Sequence, residues 1–147
     1  MKILALDQAT VTGWATDTSS GIWNLKANRG ESEGMRVVRF KAKVKEIIEL
    51  EGITLIAYER PSGRNKYSIM ISSEMVGVLK DLCIKKGVDL ACYSAKEIKL
   101  HATGNGNAGK PLMISSAKLK WPHVNIIDDN QSDALWILDY AKKDLNI

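Results

Sequence analysis

The chain lacks most of what would cross-link it, ligate a soft metal or carry it through a membrane. Its two cysteines, Cys83 and Cys92, have no paired spacing, which excludes a disulfide scaffold and a cysteine-based zinc or redox motif. Both read as buried, reduced thiols. The two histidines, His101 and His123, read as ordinary surface residues rather than ligands. No apolar run approaches the roughly 18 residues of a transmembrane helix, so no membrane segment is predicted. The N-terminus passes straight into a strand-like run with no leader ahead of it, which predicts a cytoplasmic location. What remains is ordinary for a soluble globular chain: 45% apolar and 26% charged over 147 residues, enough for one domain spanning 1–147 with a proper core.

Against that background three acids stand out, each at the edge of an apolar segment. Asp7 closes Ile3-Leu4-Ala5-Leu6, Glu59 closes the run 53–58, and Asp133 opens Ala134-Leu135-Trp136-Ile137-Leu138. A carboxylate in apolar surroundings costs several kcal/mol unless a cation or hydrogen bonds compensate it. One such residue is a curiosity. Three suggest a shared cation, and hence metal-assisted chemistry on an anionic substrate. Taken singly, each has a plainer reading: Asp7 as a turn-forming aspartate, Glu59 as the partner of Arg60 or a lysine. The basic residues are concentrated too. Residues 94–120 hold Lys96, Lys99, Lys110, Lys118 and Lys120 against Glu97, a surplus equal to the +4 of the whole chain. Such a run fits a nucleic-acid surface, and equally a solvated helical face.

Periodicity organises the rest. Residues 2–6, 12–16 and 21–25 read as strands with short links, an antiparallel meander. Residues 33–50 follow helical spacing and stop at Gly52; residues 53–59 form a continuous apolar strand, as in a strand covered on both faces. A loop with Pro61 and Gly63 leads to a helix over 67–86, capped by Gly87. Residues 88–93 form a fifth strand. Ser94 caps a short helix over 95–101. The glycine-rich loop 103–110 lacks the spacing and the Lys-Ser/Thr ending of a phosphate loop, and reads as flexible. Helices over 111–120 and about 130–143 follow, separated by Trp121-Pro122. This order predicts an α/β fold: a mixed five-stranded sheet, three antiparallel strands then parallel ones, flanked by helices. Strands 1 and 4 are the buried ones and are predicted to be neighbours, so that Asp7 and Glu59 emerge side by side.

Four segments, in this order, resemble one family. Leu4-Ala5-Leu6-Asp7 followed by Gly13-Trp14 resembles its first motif, and Tyr58-Glu59-Arg60-Pro61 its second. Ile98-Lys99, a glycine-containing loop and Lys110 resemble its paired lysines. Asp129-Asn130-Gln131-Ser132-Asp133-Ala134-Leu135 resembles its last. The chain resembles the RuvC-type Holliday-junction resolvases of the ribonuclease H-like superfamily, their phage-encoded branch above all. The resemblance implies a homodimeric, Mg²⁺-dependent endonuclease that nicks four-way DNA junctions in a bacterial or phage-infected cytoplasm. It implies two Mg²⁺ ions per site, with Mn²⁺ a possible substitute. Asp7 would bridge the ions, with Glu59 on one and Asp133 on the other, and Lys110 would offset transition-state charge. Arg60, Arg64, Lys96, Lys99, Lys110 and Lys118 would contact DNA, and a contact is open to His101.

The chain departs from the family pattern in two places. The family often has an acid three residues before the position of Asp133, where this chain has Asn130. Asp129 lies one residue earlier, on the same helical face as Asp133, so either residue is open as a fourth ligand; Asp129 is equally open as a helix cap. Gln131 falls on another face and is excluded. The second departure is that no aromatic follows Glu59 until Tyr67. A dimer face is expected on the 67–86 helix around Met70, Glu74, Met75 and Val78, though that face could simply pack on the sheet. Two other readings stay open: a different ribonuclease H-like nuclease, and a non-catalytic branched-DNA-binding protein.

Overall fold

The computed structural model describes residues 1–147. Its elements run β1 (Ile3–Asp7), β2 (Val11–Ala15), β3 (Ser20–Asn24), α1 (Gly34–Glu51), β4 (Leu55–Glu59), α2 (Lys66–Lys86), β5 (Asp89–Tyr93), α3 (Ala95–Thr103), α4 (Lys110–Lys120) and α5 (Asp129–Asp144). The strands form one sheet in the order β3-β2-β1-β4-β5. β1–β2 and β2–β3 are antiparallel, while β1–β4 and β4–β5 are parallel. This is the mixed ribonuclease H-like sheet expected from the sequence, with β1 and β4 adjacent at its centre.

Helix ends follow local chemistry. Gly52 and Gly87 take the left-handed conformation that ends α1 and α2. Ser94 and Glu97 form a reciprocal capping box at the start of α3. β4 begins at Leu55, two residues later than the apolar run predicts. Ile53 still packs in the core, but it lies directly beyond the helix-ending Gly52, where its N–H bonds back to Ile48.

Alternation in β1 and β4 sends side chains to two layers. Leu4, Leu6, Ile56 and Tyr58 pack with Phe40 and Val44 of α1 and with Met75 and Leu79 of α2. Ile3, Ala5, Leu55 and Ala57 pack with α3, α4 and α5 through Ile98, Met113 and Ile137. The second face is notable for small residues. Ala15, Ala5, Ala57 and Ala91 stand in register across four strands. The next row on that face, at the strand ends, is Gly13, Asp7, Glu59 and Tyr93. The small row lets α5 lie close to the sheet.

At Gly13 the approach is closest: an added Cβ would stand 1.8 Å from the Asn130 carbonyl oxygen of α5, so no larger residue fits. Trp23 and Trp136 are buried, and Trp14 stacks on Trp23 with centroids 5.7 Å apart. Cys83 is buried, whereas Cys92 is exposed, contrary to expectation, because β5 is an edge strand and turns that side chain outward. No helix is long and apolar enough to cross a membrane.

Candidate active site

Asp7 and Glu59 end the two central strands on the face that α5 covers, and both line a cleft of about 130 Å³ with Ser68 and Ser72 of α2. Asp133 reaches the same place from one turn inside α5. None of the three carboxylates accepts a hydrogen bond or joins an ion pair within the chain, so the plainer readings of Asp7 and Glu59 find no support. The negative charges act on one another instead. Asp7 is pushed well above the usual carboxylate range, first by burial and then by Asp133, Glu59, Asp129 and Asp128. Asp133 is raised to about 7 by burial, with Glu59 and Asp129 adding to it and Lys99 and Lys110 opposing it. Burial also raises Glu59, against the pull of Lys99.

The two lysines of the basic window that act here come from α3 (Lys99) and the first residue of α4 (Lys110). Lys110 lies 3.3 Å from Asp129, but its side chain is 79% exposed, so the pair holds it only weakly. Lys96, Lys118 and Arg64 are exposed and make no ion pair. Arg60 donates its backbone N–H to Tyr93 at 2.7 Å, and its charge acts toward Glu97 and Tyr58 rather than on the acidic cluster.

The start of α5 separates the neighbouring acids and amides by function. Asp128, not Asp129, caps the helix, accepting the Gln131 N–H at 2.9 Å. Asp129 is thus free of capping duty and turned toward Asp133 and Lys110. Asn130 donates Nδ2 to Asp128 and borders a different cleft, with Thr10 and Tyr67. Gln131 is fully used in structure. Its Nε2 donates to Ser20 and to the Asn125 carbonyl, while its Oε1 accepts the Ile127 N–H.

His101 is no surface residue. Its side chain is 13% exposed, packs beside Trp136 and Tyr140, and joins Asp139 at 2.7 Å. That partner engages Nε2. Sequence reasoning passed over Gln8. It is 4% exposed and donates Nε2 both to the Glu59 carbonyl (2.7 Å) and to Ser72 Oγ (3.1 Å), tying the ends of β1, β4 and α2 together. The only signal for it was a polar residue directly after Asp7.

No three His, Cys, Asp or Glu side chains stand close enough, as placed, to enclose a metal ion. The donor type nevertheless fits a hard divalent cation. The acids are oxygen donors; Asp7, Glu59 and Asp133 have no internal partner and come from three separate elements, and Asp129 is held only by the exposed Lys110, an open arrangement that suits an ion keeping several waters. Asp7, Glu59, Asp133 and Asp129 would hold such an ion.

No protein-family model matches the chain. A curated relative, a crossover junction endodeoxyribonuclease RuvC of Anaeromyxobacter sp. (strain K), is 33% identical over 98 residues. That match covers 60% of this chain but only about half of the relative, 52%. Among solved structures, T. thermophilus RuvC in complex with a Holliday junction substrate superposes with a TM-score of 0.77 at 19% identity, covering 98% of this chain and 96% of the other. The yeast mitochondrial Holliday junction resolvase Ydc2 gives 0.64 at 13% identity, over 92% and 75% of the two chains. The chain thus shares the fold of these RuvC-type resolvases, and about half of the curated relative's length resembles it in sequence.

Proposed function

We propose that the chain is a structure-selective DNA endonuclease that hydrolyses phosphodiesters at four-way or other branched junctions, working as a homodimer with Mg²⁺ or Mn²⁺. The observation that carries this reading is the convergence of three unpartnered carboxylates, from β1, β4 and α5, at one end of the sheet, with Lys99 and Lys110 beside them. Bound there, a divalent cation supplies Lewis-acid stabilisation of a phosphoryl oxygen and a water acidic enough to attack. The charges of both the strand acid Glu59 and the helix acid Asp133 act on Asp7, which supports its reading as the shared ligand. Lys110, exposed and lightly held by Asp129, is free to swing to a phosphate and offset the charge that grows on it. Gln8 keeps the Asp7 and Glu59 strand ends at fixed spacing.

The reading of Asp129 rather than Asn130 as fourth ligand rests on the division of labour at the start of α5. Arg60, Arg64, Lys96 and Lys118 are proposed as outlying phosphate contacts. For the second copy, the exposed stripe of α2 is the proposed face. Met75 is wholly buried against the sheet and Val78 is packed at the core's margin, which leaves Met70, Glu74 and the open Gly77.

The test is nicking of an end-labelled four-way junction in Mg²⁺. The parent chain cuts, and Asp7→Asn is slower by at least about 10²–10³-fold while still binding the junction. Equal cutting by Asp7→Asn sinks the mechanism. Binding without cutting by the parent favours a non-catalytic junction-binding protein, and a preference for RNA–DNA hybrids favours a different nuclease of the same fold.

A further inference from the structure

The lysines between 94 and 120 are not the only concentration of positive charge. Residues 26–45 hold seven arginines and lysines against two acids, Glu31 and Glu33, a larger surplus than the +4 of the whole chain. Residues 46–51 then hold three acids and no base. Few of these cations serve the fold. Arg39 pairs with Glu31 at 2.6 Å, and Arg36 is buried with its guanidinium 3.5 Å from the Tyr67 hydroxyl. Lys26, Arg29, Lys41, Lys43 and Lys45 are exposed and join no ion pair. Helix electrostatics does not account for them either. α2, α3, α4 and α5 all carry basic residues in the last turn, where the helix dipole favours them. α1 does the reverse: its first turn has no acid, and its last turn has no base but ends on Glu49 and Glu51. Stability of the helix alone would favour the opposite order. The direction of the gradient does match the acidic cleft. β3 ends beside the start of β2, and the Leu25 N–H donates to the Thr10 carbonyl at 2.8 Å, in the loop that follows Asp7. The basic loop 25–33 therefore leaves the sheet at the end where the acids converge. Within it, Asn24, Lys26, Asn28 and Arg29 wall a recess of about 340 Å³. α1 then runs toward the opposite end of the sheet, where the Thr54 N–H bonds to the Lys2 carbonyl ahead of β1. Positive charge is thus nearest the acidic cleft and negative charge farthest from it.

We infer that the loop 25–33 and the basic half of α1 hold the phosphate backbone of a duplex arm of the substrate, on the β3 side of the sheet and away from the lysines of α3 and α4. The inference rests on the nuclease reading above and adds a second DNA surface to it. From Gly34 to Lys45 the helix rises about 18 Å, the length of roughly five base pairs. Lys41 and Lys45 stand one turn apart on its outer face, in line with the exposed Val38. Duplex DNA presents a phosphate charge about every 1.7 Å of its axis whatever its sequence. Exposed, unpaired lysines match such a backbone as positioning contacts rather than as readers of bases. A branched substrate sends duplex arms away from the cleft in more than one direction. One arm can therefore lie along the lysines of α3 and α4 while another crosses the loop and follows α1. Glu46, Glu49 and Glu51 repel the backbone at the far end of the helix and set the limit of the track.

The test is binding against arm length, read by fluorescence anisotropy without divalent metal. Four-way junctions with arms of about 10 and about 25 base pairs are titrated with the parent, with Lys41→Gln/Lys45→Gln, and with Lys2→Gln/Lys143→Gln, which removes the same charge elsewhere. The parent should bind the longer-armed junction more tightly. Lys41→Gln/Lys45→Gln should bind that junction about 5- to 30-fold more weakly, and its slope of log K against log salt should be shallower by about 2. On the shorter arms it should lose less than about 3-fold, because they end before the track does. Lys2→Gln/Lys143→Gln should keep the parent's gain from longer arms. Glutamine preserves helix propensity at these exposed positions; should the double variant not fold, Lys45→Gln alone is read the same way, with a slope change of about 1. The inference is overturned if Lys41→Gln/Lys45→Gln loses nothing on the longer arms, loses equally on both lengths, or loses no more than the charge-matched control. A parent that binds neither junction overturns the nuclease reading as well, whereas one that binds and cuts with no gain from longer arms overturns the arm surface alone.

Discussion

Asp133 and Asp139 lie on the same helix and are both shielded from water, yet the protein treats them in opposite ways. Asp139 accepts from Lys120 at 2.8 Å and pairs with His101 at 2.7 Å. Burial pushes its carboxyl up, but those two partners outweigh burial and hold it below the ordinary range. Lys120 also lies 5.6 Å from the Trp121 and Trp136 ring centres, so the cluster locks α3 and α4 onto α5. Asp133 has no partner, and only other acids for close neighbours apart from the lysines across the cleft, and its carboxyl is raised to about 7. One aspartate is a finished structural contact. The other is a carboxyl that the chain leaves uncompensated, which is what the proposed cation site requires and a purely structural contact does not.

The largest effect expected from that contrast is on cleavage. Asp133→Asn should slow Mg²⁺-dependent nicking by about 10²–10³-fold or more, while Asp139→Asn, assayed where it remains folded, should change it by less than about 10-fold. Comparable losses in both would erase the distinction.

Stability should move in the opposite direction. In denaturant titrations without divalent metal at pH 8, Asp139→Asn should lose roughly 1–3 kcal/mol, because Lys120 and His101 lose their charged partner. Asp133→Asn should gain roughly 1–3 kcal/mol by removing a repelled charge. The sign follows from linkage. A carboxyl raised in the folded state favours folding fully below its unfolded value, about 4, and that contribution is lost as pH rises through about 7. The metal-free parent should therefore lose stability between pH 4 and 7 through this group, and Asp133→Asn should flatten that slope. Asp139, held low, contributes above about 4 and loses its contribution only below it.

The finest distinction is at the start of α5. Asp129→Asn should weaken Mn²⁺ binding, followed by calorimetry, by about 10-fold. Asn130→Ala should leave it within about 2-fold, as a residue of the neighbouring cleft. The reverse pattern would return the fourth ligand to Asn130.

Much of this was legible in the chain. Continuous apolar runs ending in Asp7 and Glu59 read as two buried strands, and a sheet with strands 1 and 4 adjacent brings their ends together. Gly52, Gly87 and Ser94 marked helix boundaries because their backbone and capping preferences act locally. His101 and Cys92 misled for the same reason in opposite senses: exposure depends on which element covers a side chain, and neighbouring residues in sequence do not carry that information.

The kinds of element, their order and the three acids at their edges follow from periodicity and from the cost of burying charge. How the acids meet depends on contacts between segments far apart in the chain. The row Ala15-Ala5-Ala57-Ala91 is scattered over four strands and becomes a shelf for α5 only when the register aligns it. Gly13 sets the height of that helix because the Asn130 carbonyl lies where its side chain would be. Which aspartate caps α5, which is paired and which is left bare is settled by close packing between segments far apart in the chain, and packing distances of this kind are not written in local pattern.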